Sequence, residues 1–127
     1  MNIIISHASE DPIYIQIVNQ IRHSILSGEM KAGDSLPSIR QLAKDLQVSV
    51  ITTKRVYEEL EKEKLIDSVV GKGSFVSGAN MEFIREQRMK LLEEKMIEVI
   101  RESRDLNMSE EDVINHLKLL FEEEQTS

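Results

Sequence analysis

Apolar residues recur at helical spacing along most of this chain, and the places where the spacing fails mark its turns. Ile13, Ile17, Ile21 and Ile25 follow at four-residue intervals with Val18 and Leu26 beside them, the pattern of one buried helical face. Just ahead, Asp11-Pro12 predicts the helix start, with Asp as N-cap and Pro at the first helical position, and Gly28 predicts the stop. Further upstream, Ile3 to Ile5 predict a short strand at a sheet edge. After the turn signal Gly33-Asp34, Ser38 reads as the N-cap of a short helix with Ile39, Leu42, Ala43 and Leu46 on its apolar side. Gln47 to Ser49 make the next turn, and Ser49 caps a third helix running to about Glu63, whose inner stripe is Thr53, Val56 and Leu60.

The helical period stops at Leu65. β-Branched and small residues from Ile66 to Val70, the turn Gly71-Lys72-Gly73-Ser74 and the resumption at Phe75-Val76 predict a two-stranded hairpin with a lysine between glycines at its tip. Beyond Ser77-Gly78-Ala79 the helical spacing returns. From residue 81 to about 104, Met89, Leu92, Met96 and Val99 form a stripe that Ile84, Leu91 and Ile100 widen, on a helix roughly 36 Å long at about 1.5 Å per residue. Leu106-Asn107-Met108 interrupts it, and Ser109 and Asp112 stand in the relation of a capping box. Val113, Leu117 and Leu120, with Ile114 and Phe121, define a last helix ahead of a frayed EEEQTS tail. The expected fold is mostly α. A winged helix-turn-helix, three helices plus a β-hairpin wing, occupies residues 10–78, and a two-helix C-terminal dimerisation segment occupies 79–127.

Composition narrows the function. The 127 residues are 31% charged and 40% hydrophobic with five Gly and two Pro, a turn-poor makeup that suits one helical domain with an appendage and excludes a large multidomain enzyme. Cysteine is absent, which removes disulfides, thiolate metal sites and a Cys nucleophile and suits a reducing cytoplasm. The first residues lack the basic and apolar regions of a signal peptide, and no run of about 18 apolar residues occurs, so no membrane partner is expected. The net charge of −7 is uneven: residues 1–78 carry 9 basic and 10 acidic side chains, residues 79–127 carry 7 and 13. Between Leu36 and Val56, Arg40, Lys44, Lys54 and Arg55 meet only Asp45. A positive patch therefore sits on the paired helices of an acidic chain, where a solvated helical face is the plainer reading and a polyanion site the sharper one.

The hydroxyls and N-terminal amides of that patch favour the sharper reading. Ser38, Ser49 and Thr52 lie at helix starts and can seat phosphates, while Arg40 and Lys54 neutralise them. Arg40 is also the candidate for a bidentate guanine contact, and Val50 and Ile51 either touch a thymine methyl or pack against the fold. Gly71 and Lys72 at the hairpin tip suit a minor-groove or phosphate contact. Nothing else carries chemistry. His7, His23 and His116 lack metal-ligand spacing, the paired glutamates read as exposed helix charges, and GKGS lacks the rest of a nucleotide motif, so no metal, cofactor or catalytic residue is expected.

The stretch LPSIRQLAKDLQVSVITTKRVYEELEKEKLIDSVVGKGSFV resembles the DNA-binding region of GntR-type bacterial transcription regulators. The matching positions are Leu36 to Arg40, Leu42-Ala43, Ser49, Thr52, Tyr57, Leu60, Gly71 to Gly73 and Phe75-Val76, and with the preceding helix the resemblance covers residues 10–77. Val50 stands where many members have Arg, Thr53 where an aliphatic is usual, and Lys64 where Gly commonly ends the recognition helix. The short C-terminal segment resembles the small YtrA-type branch, whose tail mediates dimerisation and whose members often repress transporter operons. The resemblance implies a cytoplasmic, sequence-specific regulator that binds double-stranded DNA at an inverted-repeat operator as a homodimer. Ile84, Met89, Leu92, Met96, Val99, Val113, Leu117 and Leu120 would form its dimer seam. A small-molecule effector of unidentified chemistry remains open, although two helices from one chain are not expected to enclose the roughly 300–1,000 Å³ of a metabolite site. The second reading is a protein-interaction module whose winged helix does not read DNA sequence.

Overall fold

Helices α1 (Ile13–Leu26), α2 (Ile39–Leu46) and α3 (Val50–Lys62) bury residues of the stripes their spacing predicts: Ile17, Val18, Ile21 and Ile25 from the first, Leu42 and Ala43 from the second, Thr53, Val56 and Leu60 from the third, to which the structure adds Tyr57. Leu36, Leu65, Ile66 and Val76 close the same core. Each large aliphatic removed from water here contributes about 1.5–3 kcal/mol. The computed structural model describes residues 2–78 and 81–126, and its contacts divide the chain into two units, Met1–Arg85 and Glu86–Ser127.

Two details of the N-terminal region differ from expectation. Pro12, not Asp11, is the N-cap of α1, and no side chain caps that end. The expected strand at Ile3 to Ile5 does not form, because side chains of α1 take the place of a strand partner. Gln20 accepts from the Ile4 amide at 2.9 Å and donates to the Ile4 carbonyl at 2.6 Å; Gln16 does the same for Ser6 at 2.9 Å each way. Four helical residues advance about 6 Å and two extended residues about 6.6 Å, so the amides match the backbone they hold.

The wing is the hairpin β1 (Ile66–Val69) and β2 (Gly73–Val76), with Ile66 opposite Val76 and Val69 opposite Gly73. The outer edge of β2 is also occupied. Leu36 N donates to Ser74 O at 2.9 Å, Val76 N to Asp34 O at 2.8 Å and Gly33 N to Val76 O at 2.9 Å. The segment entering α2 thus serves as a third strand.

Three helix ends turn on residues in left-handed conformation that are not glycine: Gln47 (φ 56°), Lys64 (φ 63°) and Asn107 (φ 57°). Each is followed by an amide bonded five residues back, Val48 to Ala43 O, Leu65 to Leu60 O and Met108 to Ser103 O, at 2.9–3.0 Å, which closes a Schellman turn. Lys64 is where the resemblance would place Gly, and its φ gives the reason. Relief of the left-handed strain outweighs the added freedom of the unfolded chain, so Lys64→Gly is expected to stabilise the protein by about 0.5–1 kcal/mol. A rise in urea midpoint at constant slope would show it, and an unchanged midpoint would contradict it.

The domain boundary expected after Gly78 abuts residues 79 and 80, which lie outside the described residues. The first turn of α4 (Met81–Asp105) belongs to the first unit: Ile84 is 7% exposed within its core, and Arg85 Nη1 donates to the Leu26 carbonyl at 2.7 Å. In the second unit, the rest of α4 is followed across the turn at Asn107 by α5 (Glu110–Thr126). Ser109 N donates to Asp112 Oδ2 at 3.0 Å and Asp112 N to Ser109 Oγ at 3.1 Å, the reciprocal box the sequence predicts. The Ser109 amide, then its hydroxyl, hold the Asp112 carboxyl below the usual range. The acidic tail does not fray, since α5 continues through it to Thr126 on good helix-forming residues. Ser127 lies outside the described residues. Among the described residues no helix is long and apolar enough to cross a membrane.

Candidate nucleic-acid interface

The two helices of the candidate interface start on serine caps. Ser38 accepts from Gln41 N at 3.1 Å and opens α2, which carries Arg40 exposed on the side away from Leu42 and Ala43. Ser49 accepts from Thr52 N at 3.0 Å and opens α3. The Ser49 hydroxyl also donates to Thr52 Oγ1 at 2.8 Å, so its proton is committed and the Thr52 hydroxyl keeps its own for an incoming acceptor.

Helix α3 divides cleanly between protein and solvent. Thr53 is 0% exposed, its hydroxyl donating to the Ser49 carbonyl at 3.1 Å, so a polar residue serves here where an aliphatic would otherwise pack. Val50, Ile51 and Lys54 point outward; Ile51 is 82% exposed, so it does not pack against the fold. At the wing tip, Lys72 N donates to Val69 O at 3.0 Å across a tight turn that needs φ 79° at Gly71. Val70, Gly71 and Lys72 are all exposed. Val70 was not legible as a tip residue, because its β-branched side chain continues the strand pattern.

The cations of this surface fall into two groups. Among the described residues, Arg40, Lys44, Lys54 and Lys72 have no side-chain partner, and Asp45, the acid next to Lys44, is engaged by Gln41 Nε2 at 2.7 Å. Arg55 is instead held by Tyr14 of α1, a contact between positions 41 residues apart that spacing does not reveal.

Tyr57 fixes the two helices to each other. Its hydroxyl donates to the Pro37 carbonyl at 2.5 Å, just ahead of the α2 cap, and burial pushes its pKa up to about 12. Because the folded value lies above the ordinary value near 10, this group's contribution is complete below pH 10 and is lost as pH rises through 12. Tyr57→Phe is expected to cost about 1 kcal/mol at neutral pH. The gap between wild type and variant should narrow between pH 10 and 12, as denaturant titrations at each pH would show.

The residues expected to form the dimer seam lie on α4 and α5. Met89, Leu92, Met96, Val99, Leu117 and Leu120 are exposed and Val113 half-buried, whereas Ile84 is withdrawn into the first unit and stands apart from them. The two helices leave a groove of about 800 Å³ that is open to solvent, lined by Leu92, Met96, Val99, Val113, Leu117 and Phe121 among others.

Residues 13–76 match the family of bacterial regulatory proteins described as gntR. The chain is 36% identical over 92 residues to the HTH-type transcriptional repressor YtrA of Bacillus subtilis, covering 72% of this chain and 71% of that protein. The chain belongs to the GntR family. Its structure is similar to that of a GntR family transcriptional regulator from Listeria monocytogenes, with a TM-score of 0.72 at 35% identity over 87% of this chain and 96% of that one. It is also similar to the DNA-binding domain of AraR in complex with operator ORX1, with a TM-score of 0.52 at 28% identity over 58% of this chain and 92% of that one. This GntR protein is therefore a DNA-binding transcriptional regulator built on a mostly helical winged fold. The relatives so matched are transcriptional regulators, not enzymes.

Proposed function

We propose that the chain is a homodimeric repressor that reads an inverted-repeat operator, with Ser38, Arg40, Ser49, Val50, Ile51, Thr52 and Lys54 at the major groove and Gly71 and Lys72 of the wing on a neighbouring phosphate or minor groove. The observation that carries the reading is the outer face of α3, where unpartnered Lys54 stands beside Val50 and the 82% exposed Ile51 on a capped helix. Exposed apolar side chains on a short helix that also carries free cations suit base methyls flanked by phosphates. Support for repression comes from the relative named a repressor, and support for operator binding from the AraR domain named in complex with one.

Dimerisation through α4 and α5 accounts for the second unit. Its apolar stripe is too continuous to remain in water, and a second copy laid on the groove would cover it. The net acidic charge of this region keeps it off the phosphates, leaving the basic surface of the first unit to meet them. The regulated operon expected from the YtrA-type resemblance is of the transporter type.

Footprinting across the promoter of a neighbouring operon tests the proposal. Two protected half-sites with centres about 34–36 Å apart, or a multiple, are the expected result. Binding without sequence preference would favour a protein-interaction module instead.

A further inference from the structure

Two arginines of the first unit are held by side-chain contacts that differ in kind. Arg22 on α1 meets Glu63 through Nε and Nη2 at 2.9 and 2.7 Å, so a carboxylate cancels its charge. Arg55 on α3 lies with its guanidinium carbon 3.7 Å from the centroid of the Tyr14 ring and donates through Nη2 to the Tyr14 hydroxyl at 2.9 Å. Tyr14 is neutral, so this contact orients the guanidinium and leaves its charge whole. Glu58 and Glu59 lie three and four residues further along the same helix, the spacing that favours an ion pair, and Arg55 pairs with neither.

Arg55 is exposed, adjoins Lys54, and follows Ile51 by one helical turn, which places it on the face of α3 that Ile51 presents to solvent. We propose that Arg55 is a further phosphate contact of the DNA interface and that Tyr14 is its positioning residue. The inference rests on the reading of α3 as the recognition helix. Arg55's remaining N–H groups form a fork suited to a backbone phosphate. Holding that fork in advance removes an ordering cost that an unpartnered side chain such as Lys54 meets on binding.

Phosphate contacts do not depend on sequence, so the full chain can be titrated with a random-sequence duplex over a salt series. Arg55→Gln is expected to weaken binding roughly tenfold, and to reduce the slope of log affinity against log salt by about 0.9 per protomer, with the melting temperature unchanged. Tyr14→Leu keeps the charge, so affinity should fall while the slope stays at the wild-type value. The double variant should bind no more weakly than Arg55→Gln alone, and Arg55→Lys should restore the slope without the full affinity. A lower melting temperature for Arg55→Gln with slope and affinity unchanged would make the pair a staple between α1 and α3 and overturn the inference. Arg40→Ala and Lys54→Ala in the same titration separate the two failures. If they weaken binding and Arg55→Gln does not, the inference alone falls; if none of the three does, the reading of the recognition surface falls with it.

Discussion

Leu92→Glu combined with Val99→Glu is expected to leave a folded monomer whose apparent affinity for an inverted repeat is lower by about 10²–10⁴, the advantage that coupling two half-sites confers. Both side chains are already exposed in the single chain, so the charges cost its fold little. In a dimer they would lie in an apolar seam with no partner, where an unpaired charge is strongly unfavourable. Sedimentation with gel shifts on full and half operators would show the result. A variant that stays dimeric, or a monomer that binds the full repeat as tightly as wild type, would contradict it. Truncation sharpens the same point. A chain ended at Arg85 should behave like the double variant, whereas one ended at Gly78 also loses Ile84 from the core, a change of the size of an Ile to Ala substitution, about 2–5 kcal/mol.

Arg40→Ala should weaken operator binding by about 1–3 kcal/mol in each half-site and relax one base position. In a dimer the loss is incurred twice. Arg40 is exposed and unpartnered on α2, so the melting temperature should not move. Lys54→Ala should instead weaken binding alike on all sequences and reduce the salt slope by about one unit per protomer. Equal affinity of variant and wild type in fluorescence titrations on matched and single-mismatch operators would remove Arg40 from the interface.

Much of this architecture could be read from local signals. Ser38, Ser49 and the Ser109–Asp112 pair each announce a helix start through a bond that spans three residues, and the structure forms all of them. The faces of α2 and α3 followed from apolar spacing, since burial repeats with the helical period. The features that escaped depend on partners distant in sequence. Nothing near Ile4 or Ser6 shows that Gln20 and Gln16 will hold their backbone, and nothing near Gly33 to Leu36 shows that β2 will accept a third strand. Ile84 fits the apolar stripe of α4 as well as Met89 does, but only contact with the first unit withdraws it from solvent. The left-handed turns at Gln47, Lys64 and Asn107 escaped for another reason, because the usual glycine signal is absent at all three. Arg55 counted toward a basic patch in the sequence; its distinct role depends on Tyr14.

The third strand has a dynamic consequence. Since β2 bonds to β1 on one side and to the chain entering α2 on the other, the amides of Leu36 and Val76 are protected by one ladder. They should exchange with solvent deuterium as a group, in a single opening event and not as a loop and a hairpin fraying independently. The opening that releases the wing also loosens the footing of α2, two residues ahead of its Ser38 cap. A duplex that grips Lys72 and Arg40, which both lie beyond the Leu36–Ser74 end of this ladder, would suppress one fluctuation instead of two, and slowed exchange at Leu36 on DNA binding would report contacts made at the wing.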